Sequence, residues 1–137
     1  MTGNGDVFKI LLVEDNLNYR SILKSALLRR FTALETKEAS GELDTLTAVK
    51  SFNPDLVFMD LHLEDNANGL NLIKKIKSEN PELEITVLSA HDTPEYRTAA
   101  RQIGADFFFS KRTSLKSVLD YVGSEIKRKQ ELQSRLT

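Results

Sequence analysis

Leu56, Val57, Phe58 and Met59 run without a polar break between Pro54-Asp55 and Asp60, and this run restricts the fold more than any other stretch. A run this short, with no period-two alternation, fits a strand buried on both faces, the condition of strands in a parallel sheet covered by helices. Asp60 then stands at the strand's carboxyl end. Ligands of open α/β sheets bind in the crevice outside those ends.

A second run, Phe8-Lys9-Ile10-Leu11-Leu12-Val13, also ends in acids, Glu14 and Asp15. Asn16 caps a helix on which Tyr19, Ile22, Leu23, Ala26 and Leu27 recur at helical spacing, with Arg20, Lys24 and Arg29 outward. Thr32 to Ala39 reads as a polar strand suited to a sheet edge. Ser40 is expected to cap a helix carrying Leu43, Leu46 and Val49, closed by Asn53-Pro54. Leu70, Ile73 and Ile76 mark a third helix after a polar loop, and Glu84 to Ser89 is a fourth strand. Thr93-Pro94-Glu95 starts a fourth helix with Ala99, Ala100 and Ile103 inward, ended by Gly104. Asp106 to Ser110, including Phe107-Phe108-Phe109, reads as a buried fifth strand. A last helix from Ser114 buries Leu115, Val118, Leu119, Val122 and Ile126. Alternating strands and helices joined by short loops define a doubly wound α/β domain with a five-stranded parallel sheet and five helices. The expected organisation is a tail over 1–7, the domain over 8–126, and a charged helical extension or linker over 127–137.

The chain's 137 residues make one domain of ordinary size. Without cysteine there are no disulfides or thiolate metal sites. No apolar segment approaches a membrane span and the amino terminus lacks a signal pattern, so a soluble cytoplasmic protein is expected. With 19 basic and 20 acidic residues, the formal charge of -1 argues against direct binding of nucleic acid or an anionic membrane.

The polar residues ending the strands are Glu14 and Asp15, then Asp60, Ser89 and Lys111. They converge if the strands are parallel and adjacent. Two like unit charges ~4 Å apart repel by about 4 kcal/mol at an effective dielectric of about 20, so three carboxylates in one crevice call for a cation. Oxygen-only ligands in an open site favour Mg²⁺, and Lys111 can hold an anion. A hard cation, an ammonium and a hydroxyl around a carboxylate suit phosphoryl transfer, with Asp60 as nucleophile.

This pattern resembles the receiver domain of two-component response regulators, from about Lys9 to Ile126. The resemblance implies a flavodoxin-like sheet in the order 2-1-3-4-5 and phosphorylation of Asp60 by a histidine kinase or phosphotransfer protein. It implies Mg²⁺ held by Glu14, Asp15, Asp60 and the backbone carbonyl of His62. Ser89 and Lys111 would receive the phosphate, Ala90 is the small residue that leaves the site accessible, and Phe108 occupies an aromatic switch position. Such a domain catalyses only its own phosphorylation and dephosphorylation. Its output face, made by the fourth helix, fifth strand and fifth helix, binds a partner or a second copy. His62 and His91, each two residues past a site residue, either tune attack of water on the aspartyl phosphate or are solvated loop residues.

Three features depart from the family pattern. Arg112 follows Lys111 where proline is usual, removing the support for a cis peptide. Gly69 falls nine residues after Asp60, one more than usual, so the loop is expected to bulge between Glu64 and Asn68. The switch aromatic is Phe, without a hydroxyl. Two other functions fit parts of the pattern. A phosphate-independent receiver would bind a partner constitutively. A phosphatase acting on an external substrate is disfavoured, because His62 stands where its second acid would be. A flavin-binding fold is disfavoured by acids after the first strand.

Overall fold

The computed structural model describes residues 7–136, the side chain of Asp65 excepted. Of the expected tail over 1–7, all but Val7 lies outside the described residues, as does Thr137. The strands are β1 (Phe8–Val13), β2 (Leu34–Ala39), β3 (Leu56–Met59), β4 (Glu84–Ser89) and β5 (Phe107–Ser110). The helices are α1 (Leu17–Arg30), α2 (Glu42–Phe52), α3 (Gly69–Glu79), α4 (Pro94–Gln102) and α5 (Leu115–Leu136). All strand pairings are parallel in the order β2-β1-β3-β4-β5, the doubly wound arrangement expected.

Successive strand residues point to opposite faces, so each central strand supplies two apolar layers. Leu11, Val13, Val57, Met59, Ile85 and Val87 pack with Val49 of α2 and with Leu72, Ile73 and Ile76 of α3. On the other face Ile10, Leu12, Leu56, Phe58 and Leu88 meet Leu23 and Leu27 of α1 and Val118 and Val122 of α5. Asn16 Oδ1 accepts from Tyr19 N at 3.0 Å and Thr93 Oγ accepts from Tyr96 N at 3.2 Å, as their cap positions require. Gly104 takes φ 111° after α4, the left-handed stop anticipated for it.

Several expectations about faces are corrected. Ile22 and Leu43 fit a helical stripe by spacing but are exposed, Leu43 at 80%. A helix spacing alone leaves the width of the buried stripe open, and here Thr45, Ala48 and Val49 define it in α2. The cap of α2 is Gly41, while Ser40 lies one residue earlier and its amide donates to Asp44 Oδ2 at 2.9 Å. Arg20 is turned inward to an ion pair with Glu38 at 3.1 Å. Phe107 is 49% exposed because β5 is an edge strand, so the triple phenylalanine is only partly buried. Among the described residues no peptide is cis, Lys111-Arg112 included.

Candidate functional site

The sheet register carries one residue past the strands. Asp60 N donates to Val13 O at 3.0 Å and Glu14 N donates to Ala39 O at 2.9 Å, so both carboxylates leave the sheet from fixed backbone. Lys111 N likewise donates to Ser89 O at 2.9 Å. The loop after Asp60 returns across its own start. Gly69 N donates to Leu61 O at 2.9 Å, and a Cβ on Gly69 would lie 2.2 Å from Asp60 O. No side chain fits there. The extra loop residue is absorbed as expected, in a 3-10 turn over Glu64–Asn66 with Asn66 at φ 58°, closed by an antiparallel bridge between His62 and Asn68.

Oxygens of Glu14, Asp15 and Asp60 lie within 4.8 Å of one another, a group that could hold a metal ion. Lys111 Nζ sits 2.6 Å from Glu14 Oε1 and 3.3 Å from Asp60 Oδ2. Glu14 and Asp60 are both buried. Burial pushes Glu14 up to about 7, against the hydrogen bond from Lys111, while the nearby Asp60 charge adds to the rise. Asn16 N also donates to Glu14 Oε2 at 3.0 Å. Hard oxygen donors gathered around an ammonium fit a cation-binding centre. The ring of Tyr19 stands 4.7 Å from the same Nζ. Tyr19's own hydroxyl is pushed up to about 12 by burial, with Glu14 and Asp60 adding to the shift.

Ser89 is fully buried, and its Oγ accepts from His91 N at 3.1 Å. Ala90, next in the chain, is exposed. His62 and His91 extend from different loops yet meet in a tilted ring contact at 3.8 Å between centroids and 35° between planes, with Tyr96 5.8 and 5.9 Å from them. Phe108 is partly buried against the core, and the Arg97 guanidinium lies 4.6 Å from its ring centroid. Arg97 in turn pairs with Asp92. The structure thus gathers Glu14, Asp15, Asp60 and Lys111 directly, places Ser89 and Ala90 at the adjacent strand end, and sets Phe108 farther along the sheet edge.

A receiver-domain family model matches residues 10–123. The chain belongs to the response regulator receiver domain family. Relatives of this receiver domain include the nisin biosynthesis regulatory protein NisR of Lactococcus lactis, 32% identical over 90% of this chain and 52% of that protein. The probable transcriptional regulatory protein TcrX of Mycobacterium tuberculosis is 29% identical over 85% of this chain and 48% of that protein. The chain spans about half the length of the curated relatives it matches. Among solved structures, the receiver domain of NtrX from Brucella abortus aligns with TM-score 0.77 at 28% identity, covering 86% of this chain and 98% of that one. A CheY-like receiver domain protein from Methanospirillum hungatei has the same fold, with TM-score 0.81 at 18% identity, covering 91% and 98%.

Sequence reasoning missed two neighbours of the site. Tyr19 reads as one of the apolar positions of α1, and Arg20 as outward. Arg20 Nη1 donates to Glu14 O at 2.9 Å, steadying the acidic turn. The available signal was their place in the first turn of the helix that follows Glu14-Asp15, one helical turn from the acids.

Proposed function

We propose that this receiver domain accepts a phosphoryl group on Asp60 from a phosphohistidine of a partner kinase or phosphotransfer protein. An Asp60 oxygen attacks phosphorus, a P–O bond forms as the P–N bond breaks, and the departing imidazole takes a proton. Glu14, Asp15, Asp60 and the His62 carbonyl would hold Mg²⁺, which supplies neutralisation of charge on the transferring oxygens. Lys111 would release its carboxylates and bind a phosphate oxygen, and the Ser89 hydroxyl would turn from His91 N to another. The exposed Ala90 leaves that approach open. The convergence of three carboxylates and Lys111 in one crevice is the observation that supports this reading most.

Movement of Ser89 would let Phe108 turn inward and repack the face made by α4, β5 and α5, which then binds a partner or a second copy. The His62 and His91 rings in contact join the loops beside Asp60 and Ser89, and would restrict the approach of water and lengthen the life of the aspartyl phosphate. The near-balanced formal charge of -1 favours protein partners over nucleic acid. The signalling domain over 8–126 would continue in the same helix into an extension over 127–137, whose Arg128 and Lys129 still pair with the domain.

Intact mass after incubation with Mg²⁺ and a small phosphodonor tests the chemistry. One added phosphoryl group that requires both Mg²⁺ and Asp60 is expected, with Asp60→Asn unmodified. No adduct in the wild type, with no binding of beryllofluoride, would point instead to a constitutive interaction module.

A further inference from the structure

Lys111 has three neighbours at its ammonium: Glu14 at 2.6 Å, Asp60 at 3.3 Å and the ring of Tyr19, its centroid 4.7 Å away. The first two are the carboxylates that a divalent cation would claim. Once they are so engaged, the ammonium loses its ion pairs and meets a like charge beside them. The Tyr19 ring is different. It carries no charge for a metal to compete for, and it attracts a cation through its π face.

We propose that Tyr19 is a positioning residue for Lys111, its ring keeping the ammonium at the mouth of the site after Glu14 and Asp60 have been given over to a metal ion. The ring is itself held. Tyr19 N is bonded to the Asn16 cap at 3.0 Å, and the side chain is half-buried against the layer formed by Leu23, Leu27 and Phe58. An ammonium side chain has several rotatable bonds, and a fixed partner reduces the freedom lost when it binds an anion. Tyr19 therefore favours anion capture at Asp60 without being a metal ligand or touching the reacting atoms. The hydroxyl plays no part, so phenylalanine should serve as well as tyrosine.

This inference rests on the phosphoryl-accepting reading, and two measurements separate their fates. The first uses no metal and no phosphate. Proton NMR of the Lys111 methylene next to Nζ reports the ring by an upfield displacement, compared in wild type and in Glu14→Gln/Asp60→Asn, which removes the ion pairs. The displacement is expected to persist in the neutralised background with Tyr19 or Tyr19→Phe and to vanish with Tyr19→Leu. Its loss in that background with Tyr19 intact would overturn the inference, because the carboxylates alone would then be holding Lys111.

The second measurement is the beryllofluoride dissociation constant at saturating Mg²⁺, followed by ¹⁹F NMR. Tyr19→Leu should weaken it about three- to tenfold, the scale of a partly desolvated cation–π contact. Tyr19→Phe should stay within about twofold, and the Mg²⁺ constant should be unchanged in both. Equal beryllofluoride affinity in wild type and Tyr19→Leu would overturn the inference, as would an equal loss in Tyr19→Phe. A wild type that takes no beryllofluoride overturns the phosphoryl reading, and the metal-free comparison still decides the tether.

Discussion

Two carboxylate clusters lie at opposite ends of the same sheet, and they balance charge differently. At the carboxyl end Glu14 and Asp60 share the ammonium of Lys111, with Asp15 beside them. At the amino end Glu84, the first residue of β4, and Glu125 of α5 share the guanidinium of Arg128, at 2.9 and 2.7 Å. The second cluster is closed by its surroundings. Tyr121 donates to Glu84 and shares a 2.5 Å hydrogen bond with Thr86, while Phe58, Phe107 and Phe109 pack around its ring. Burial, with the Glu125 hydrogen bond adding, pushes Glu84 up to about 7, and the Glu84 and Arg128 hydrogen bonds hold Glu125 low against its own burial. Below about pH 7 that arrangement favours one proton shared between the two carboxyl groups. The amino end offsets its excess charge with hydroxyls, a proton and aromatic walls as well as Arg128; the carboxyl end leaves it to the Lys111 ammonium, with three carboxylates close enough to hold a metal ion.

The largest expected effect is Lys111→Met, which strands buried carboxylates. Metal-free stability in urea should fall by about 3 kcal/mol, and saturating Mg²⁺ should restore most of it. Loss of stability that Mg²⁺ cannot restore would break the contrast. Next comes pH. Glu84 and Glu14 both have folded pKa values near 7, above the 4.5 of an ordinary glutamate, so the folded state binds more protons between those values. Metal-free stability should therefore fall as pH rises from about 4.5 to 7, by on the order of 2 kcal/mol per group. Glu84→Gln should flatten the curve with or without Mg²⁺. Glu14→Gln should flatten it only in metal-free protein, because Mg²⁺ binding favours ionised Glu14 and opposes that slope.

Tyr121→Phe keeps the aromatic packing and removes the donor to Glu84, and should cost about 1–2 kcal/mol in chemical denaturation with Mg²⁺ affinity unchanged. The smallest effect is expected for Arg128→Met. Its side chain is 59% exposed, and Tyr121 and the shared proton remain, so the loss should stay below about 1 kcal/mol. A loss as large as that of Lys111→Met would show that the two clusters depend on their cations equally.

The carboxyl-end cluster was legible in the sequence and the amino-end cluster was not. Glu14 and Asp60 follow an apolar run directly, and Asp15 and Lys111 stand one residue farther on, so naming the strands names the residues that meet at one edge. Glu84 opens a strand and Glu125 lies in a helix, 41 positions apart, and nothing local marks their meeting. It depends on how α5 lies against β4. The same dependence explains the misplaced faces. Ile22 and Leu43 fit a helical stripe whose width is set by the sheet beneath, and Phe107 fits a buried strand but lies at an edge. The ring contact of His62 with His91 joins loop tips, where backbone path rather than residue pattern decides contact.

The long α5 helix has a mechanical consequence. Ion pairs fasten it at intervals, Asp120 to Arg30, Arg128 to Glu84 and Lys129 to Asp55, with Lys129 also over the Phe8 ring. Its 22 residues form a rod of about 33 Å. Fastened as far as Lys129, the rod follows the sheet it lies on, so a rotation of about 10° of that sheet would carry the helix with it and displace its far end by about 5 Å.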